Sequence, residues 1–354
     1  MTVDFGGAIE AVACATVATM IADLTTMRLG GPAAEFAKAA STDELITAIR
    51  DADAAGQPVL VVGGGSNLVV GDDGFDGLVV QVATPGLRID GDHVVADAGV
   101  EWDDLVVATL DAGLAGLEPL SGIPGSVGGT PVQNVGAYGT LTSDFLETVS
   151  VYDRVSGAVE VWGPDRCGFG SHRQSTFKHT RRYVVLSVSF RLAEGHSSLP
   201  IAYDALAQRL GVAANSTAKT SDVRAAVLAL RGERGMLLDE ADHDTWSVGS
   251  FFINPVLSEV PAQAAACPQY PDPNGVKLSA AWLIHRAGFA PGYGRDRDNG
   301  TVALSSKHAL AVTNRGGATT ADVMRFAAHI RDGVEAAFGV RLGPECDLVN
   351  CAFG

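Results

Sequence analysis

Residues 120–139, LSGIPGSVGGTPVQNVGAYG, carry six glycines and two prolines in twenty positions and no charged side chain. A regular helix or strand is not expected from that composition. Glycine has the most conformational freedom to lose, and proline lacks a backbone donor. With no charge to solvate it, the segment is expected to be an ordered, non-repetitive loop that lies against the body of the protein. Its amides and carbonyls must then find partners. Two structures satisfy that demand: a crossover packed on a sheet, or a cradle for a ligand with many acceptors, such as a dinucleotide.

A second cluster supports the cradle. Pro58–Val62 reads as a short buried strand that ends in Gly63-Gly64-Gly65-Ser66-Asn67. Successive amides in such a turn form an anion-binding concavity suited to a pyrophosphate, and Ser66 and Asn67 add side-chain hydrogen bonds. Taken alone, a glycine run is as compatible with an unliganded turn. Around these two clusters the elements alternate without a regular βαβ count. Ser41 and Glu44 form a capping box before the helical face Leu45, Ile46 and Ile49, with Gly56 to close it. Residues 78–82 read as a strand, and Asp90-Gly91 turns a tight hairpin. A helix is expected over 101–112, a hairpin over 149–162 turning at Ser156-Gly157, and a strand over 183–192. Helices follow near 203–210 and 221–231. Later come a strand near 250–253, a helix from Ser279 to Arg286, strands near 301–304 and 309–313, and a helix from Thr320 to Phe338. This mixture predicts an α+β fold. At 354 residues, two or three domains are expected, with boundaries at 83–86 and 232–245. The first twenty residues read as an extension or a first helix.

Charge narrows the function. Lys and Arg number 25 against 41 Asp and Glu, a net charge of −16. Neither a nucleic-acid coat nor a binder of anionic membranes fits that balance, and a small anionic ligand would need a local cationic pocket. The five cysteines, Cys14, Cys167, Cys267, Cys346 and Cys351, include no CxxC, which disfavours a zinc site or a disulfide scaffold. The apolar run 11–22 is too short to span a bilayer, so a reducing cytoplasm is expected. P-loop, Rossmann, HExxH and GxSxG motifs are absent.

Three further segments carry chemistry-bearing residues. Gly170–Lys178, GSHRQSTFK, with Arg181 and Arg182 beyond it, is a basic island in which Arg173 offers a planar fork for a carboxylate. Ser250, in VGSFFINP, stands between glycine and two aromatics and could donate a proton in a shielded site. Glu345 follows a proline in LGPECD and could orient a cation or relay a proton.

Taken in order, residues 25–34 (TTMRLGGPAA), the glycine triplet with Ser-Asn, SGIPGSVGG…QNVGAYG, the R-x-S-x-FK box, GSFFxNP and the terminal PE resemble the UDP-N-acetylenolpyruvoylglucosamine reductase (MurB) family. The resemblance runs from about Thr25 to the C-terminus. It implies an FAD-binding unit of the vanillyl-alcohol-oxidase/PCMH type in two subdomains, residues 21–84 and 85–234. A substrate domain over 235–354 follows, after an N-terminal extension of residues 1–20. It also implies that bound FAD is reduced by NADPH and then reduces UDP-N-acetylglucosamine enolpyruvate to UDP-N-acetylmuramate, in peptidoglycan precursor synthesis. A monomer is expected, with no metal, nucleic acid or membrane partner.

Carried over by position, Ser250 matches the proton donor, and Arg173 and Glu345 match the residues that stabilise the enolate-like intermediate. Gly63, Gly64, Gly65, Ser66, Asn67, Pro124, Gly128, Gly129, Thr130, Val132 and Gly136 match the cofactor cradle. Tyr203, Arg234, Asn254 and Arg286 match substrate positions. The chain departs from the pattern at His172 (a tyrosine elsewhere), Arg234 (a lysine), Arg286 (often a glutamine) and Asp347 (an arginine). An FAD oxidase of the same superfamily lacks a His or Cys flavin-attachment motif here. A non-catalytic flavin module would not need Arg173, Ser250 and Glu345 together.

Overall fold

The computed structural model describes residues 19–170, 174–178 and 180–353. Its first sheet is parallel and three-stranded. Strand β1 (Ala33–Ala39) and strand β2 (Val59–Val62) flank β4 (Phe75–Val82), while β3 (Leu68–Val70) lies apart. Helix α1 (Thr42–Ala54) connects β1 to β2, and Ser41 accepts from the Glu44 amide at its start. The Glu44 carboxylate reaches back to the Ala40 amide, one residue earlier than a reciprocal box requires. Leu45, Ile49 and Ala52 bury the helix face. Each large aliphatic side chain there contributes about 1.5–3 kcal/mol of burial.

The second sheet is antiparallel, in the order β8-β7-β9-β6-β5, from β5 (Leu87–Asp90), β6 (His93–Asp97), β7 (Leu146–Asp153), β8 (Ala158–Trp162) and β9 (Tyr183–Arg191). Helix α2 (Trp102–Asp111) packs beside it, and Trp102 donates its indole N–H to the Leu120 carbonyl. The glycine-rich segment is not wholly irregular. It contains a one-turn helix α3 (Gly129–Gln133), stopped where Asn134 enters the left-handed region at φ 39°. Pro131 is tolerated because it sits within the first turn, where no donor is missed.

Beyond α4 (Asp204–Leu210) and α5 (Thr220–Glu233) lies a third core. It is built on a small antiparallel sheet, β10 (Val256–Leu257), β11 (Gln269–Asp272) and β12 (Gly275–Leu278). To it are added α6 (Ala280–Arg286), the pair β13 (Val302–Leu304) and β14 (Val312–Asn314), and α7 (Thr320–Phe338). Residues 250–253 form no strand. Phe251 donates to Leu310 and Ile253 to Gly343, and only Phe252 bridges Pro344, so the segment divides its bonds between two neighbours.

Two crossings tie the ends of the chain to its middle. Met27, Leu29 and Val69 are buried in the third core. The last strand, β15 (Asp347–Val349), returns to pair in parallel with β3. Among the described residues no helix is long and apolar enough to cross a membrane, and the four described cysteines are free.

Candidate active site

The two glycine clusters meet. A Cβ on Gly64 would stand 2.5 Å from the Cα of Gly125, and one on Gly65, at φ 59°, would stand 1.9 Å from the Leu24 carbonyl oxygen. Only glycine lets these backbones close on one another. Loop 63–67 and segment 123–136 thereby form one wall of a cleft of about 820 Å³. Among the described residues, the amides of Gly64, Gly65 and Ser66 donate to no protein acceptor. A row of free donors of this kind suits the oxygens of a pyrophosphate. Gly129 contributes differently. A Cβ there would meet no protein atom within 4 Å, so its place in the cleft wall opens onto unfilled space.

The opposite wall comes from the third core. Gly249, at φ 73°, turns the chain so that Ser250 lines the cleft. Among the described residues the Ser250 hydroxyl has no protein partner. Glu345 is delivered beside it by backbone bonds. Its amide donates to the Phe251 carbonyl at 2.8 Å, its carbonyl accepts from Asn67 Nδ2 at 3.5 Å, and the Asp347 amide donates to the Asn67 carbonyl at 2.9 Å. Asn67 thus joins the glycine loop to the Glu345 segment, which in turn is bonded to the Ser250 segment.

Among the described residues, five cationic side chains line the cleft, Arg154, Lys178, Arg181, Arg231 and Arg234, against two anionic ones, Glu345 and Asp347. An acidic chain therefore carries a cationic pocket. Arg154 donates from Nε and Nη2 to the two Asp53 carboxylate oxygens, at 3.0 and 2.6 Å, and from Nη1 to the Arg181 carbonyl. Arg231 is buried and donates to the carbonyls of Gly122 and Met236. Tyr203 is the N-cap residue of α4, and its ring lies edge-on to Tyr138 with centroids 5.5 Å apart. Burial raises the Tyr138 pKa.

Every expected cradle residue lines this cleft, as do Ser250, Glu345, Tyr203 and Arg234. Asn254 and Arg286 do not. The Asn254 carboxamide accepts from the Ala280 amide at the start of α6, and Arg286 is exposed over the Trp282 ring at 5.7 Å. Arg173 and His172 lie outside the described residues. Among the residues that the cleft adds and the sequence analysis passed over are Arg154, Arg231 and His308. The His308 Nδ1 accepts from the Leu310 amide, leaving its other nitrogen to carry the hydrogen. Burial, then Arg234 and Arg231, depress its pKa below the ordinary 6.5, so the ring is neutral at pH 7.

Residues 33–161 match the FAD binding domain model, and residues 240–349 match the C-terminal domain model of UDP-N-acetylenolpyruvoylglucosamine reductase. The reductase of that name from Saccharopolyspora erythraea is 51% identical over 355 residues, covering 95% of this chain and 96% of the relative. That from Nocardia farcinica is 50% identical over 339 residues, 93% and 88% of the two chains. The chain belongs to the UDP-N-acetylenolpyruvoylglucosamine reductase family. The crystal structure of the enzyme from Thermus caldophilus agrees, with a TM-score of 0.66 at 26% identity over 94% of this chain and 98% of that one.

As a member of the UDP-N-acetylenolpyruvoylglucosamine reductase family, the protein is an FAD-dependent oxidoreductase. The site fits that cofactor on its own geometry. The glycine loop offers unpaired amide donors of the kind a pyrophosphate takes, and the cleft lies within the roughly 300–1,000 Å³ of ligand pockets.

Proposed function

We propose that this protein reduces the enolpyruvyl group of UDP-N-acetylglucosamine enolpyruvate, with NADPH as reductant, to give UDP-N-acetylmuramate. The observation that carries the reading is the joining, through Asn67, of the glycine loop to the segments bearing Glu345 and Ser250. The relatives' printed name supplies the substrate. Bound FAD would accept hydride from NADPH and deliver it to the β-carbon of the enolpyruvyl group.

The chain's own residues have three tasks. Gly63 to Asn67 and the segment from Pro124 to Gly136 would hold the cofactor. Arg234, with Tyr203, Arg231 and His308, lines the cleft where an anionic nucleotide sugar can be neutralised. Arg173 and Glu345 would stabilise the negative charge that develops on the α-carbon and carboxylate, where a contact counts toward rate because it strengthens in the transition state. Ser250 would give its hydroxyl proton to the α-carbon and recover one from solvent.

Mixing the FAD-loaded protein with NADPH and UDP-N-acetylglucosamine enolpyruvate tests the reading. NADPH consumption matched mole for mole by UDP-N-acetylmuramate is expected. NADPH consumption that does not depend on the UDP-sugar would reject the substrate assignment.

A further inference from the structure

The side chain of Asp244 is 3% exposed and is the most heavily bonded carboxylate of the third core. It accepts from the Ser305 hydroxyl at 2.9 Å, the Ser306 hydroxyl at 2.9 Å and the Ser306 amide at 3.1 Å, and pairs with Arg315 at 3.0 Å and Arg295 at 3.3 Å. Burial opposes its charge, and the hydrogen bonds from Ser306 and Ser305 together with Arg295 outweigh it, leaving the carboxyl below its ordinary value. None of these groups takes part in the chemistry proposed above.

The bonds run onward into the cleft along two routes. On one side, Ser305 Oγ donates to Asp244 while accepting from the amides of Lys307 and His308, at 3.1 and 3.2 Å. The His308 ring accepts from Leu310, and the Leu310 carbonyl accepts from the Phe251 amide, next to Ser250. On the other side, the chain from Asp244 to Ser250 is bonded at almost every step. Thr245 donates to the Asp239 and Asp242 carbonyls, Trp246 accepts from Asn314, and Ser247 accepts from Thr26 and from the Gly249 amide. Asp244, Ser305, His308, Leu310, Phe251 and Ser250 therefore stand on one closed ring of bonds.

We infer that Asp244 is a positioning residue: through Ser305 and residues 245–249 it fixes His308 and Ser250 relative to each other in the same wall of the cleft. This deepens the reading that both face the nucleotide-sugar substrate, and it rests on that reading. Asn at 244 would keep the size but lose the charge that two arginines share, and its amide could not accept from every present donor. Removing the Ser305 hydroxyl alone would cut the route to His308 and leave the ion pairs in place.

The test uses the FAD-loaded protein labelled with ¹⁵N-histidine, in the parent, Asp244→Asn, Ser305→Ala and Asp153→Asn forms, with His308→Gln to assign the signal. Asp153 is the control, an equally buried carboxylate paired with Arg182 at 2.6 Å on the second sheet. The ring signals of His308 should shift or double in Asp244→Asn and Ser305→Ala and stay in place in Asp153→Asn. Reoxidation of the reduced flavin by the enolpyruvyl substrate should slow at least about tenfold in the first two variants, beyond any change that loss of folding stability brings to Asp153→Asn. If Asp244→Asn does not fold, Ser305→Ala decides the matter alone. His308 signals that coincide with the parent's, or parent-like reoxidation, would overturn the inference. Failure of the substrate assignment would show separately, as a parent flavin that the substrate does not reoxidise, and the histidine spectra would keep their meaning.

Discussion

Gly64 and Gly129 both line the cleft, yet a methyl group meets very different surroundings at the two positions. At Gly64 it would lie 2.5 Å from the Gly125 Cα, so the two loops must part; at Gly129 it meets open space in the first turn of a helix. Gly64→Ala should therefore lower both the melting temperature and the affinity for FAD. Gly129→Ala should hold or raise the melting temperature of the FAD-free protein, since alanine is favoured over glycine in a helix by up to about 1 kcal/mol, and should weaken FAD binding alone. Titrating each apoprotein with FAD and following flavin fluorescence separates the cases. Unaltered FAD affinity in Gly129→Ala would remove α3 from the cofactor path. At this scale the sequence singled out the glycines, Ser250 and Glu345, which the fold brings to one cleft, because such residues in a pattern of turns and apolar flanks are distinctive. It did not reveal Arg231 or His308. Arg231 reads as a solvated helix residue until tertiary packing buries it to 6% exposure, and a histidine in KHAL belongs to no local pattern. Arg286 shows the opposite case: its position was taken from the family pattern, and packing left it on an exposed helix face.

Among the elements, α7 spans Thr320–Phe338 as its pattern predicts, because Thr319 and Asp322 cap it reciprocally and Gly339 closes it at φ 67°. The sheet β10-β12-β11 was not legible. Its strands are two to four residues long and bury little, so the only local sign is the turn sequence Asp272-Pro273-Asn274-Gly275. Short strands of that kind are set by their partners rather than by their own periodicity. The pair α4 and α5 brings two side chains to the cleft, since Tyr203 starts the first helix and Arg231 lies on the second. Tyr203→Phe keeps the edge-on contact with Tyr138 and deletes only the hydroxyl. The variant should bind the UDP-sugar roughly two- to tenfold more weakly, the value of one hydrogen bond, with a smaller change in the rate of flavin reoxidation at saturation. Parent-like affinity would separate this element from the substrate.

At the scale of the molecule, three features converge. An acidic chain places five cationic side chains, among the described residues, around one cleft. Its last strand returns to β3, and residues 27–29 enter the third core, so the wall bearing Ser250 and Glu345 cannot drift from the wall bearing the glycine loop without breaking both crossings. Neither crossing could be read from local sequence, because strand pairing between residues 347–349 and 68–70 depends on the whole fold. The consequence is a site whose two halves are held at fixed spacing, while the chemistry proposed for it divides into two half-reactions. Only the second needs a proton for carbon, and that division supplies the decisive measurement: stopped-flow absorbance of the flavin in Ser250→Ala. NADPH should reduce the flavin at close to the parent rate, and reoxidation by UDP-N-acetylglucosamine enolpyruvate should be slower by about 10² to 10⁴-fold, the usual contribution of a positioned general acid. Reoxidation as fast as in the parent protein would contradict the assignment of Ser250 as the donor and move that role to Glu345 or to a water.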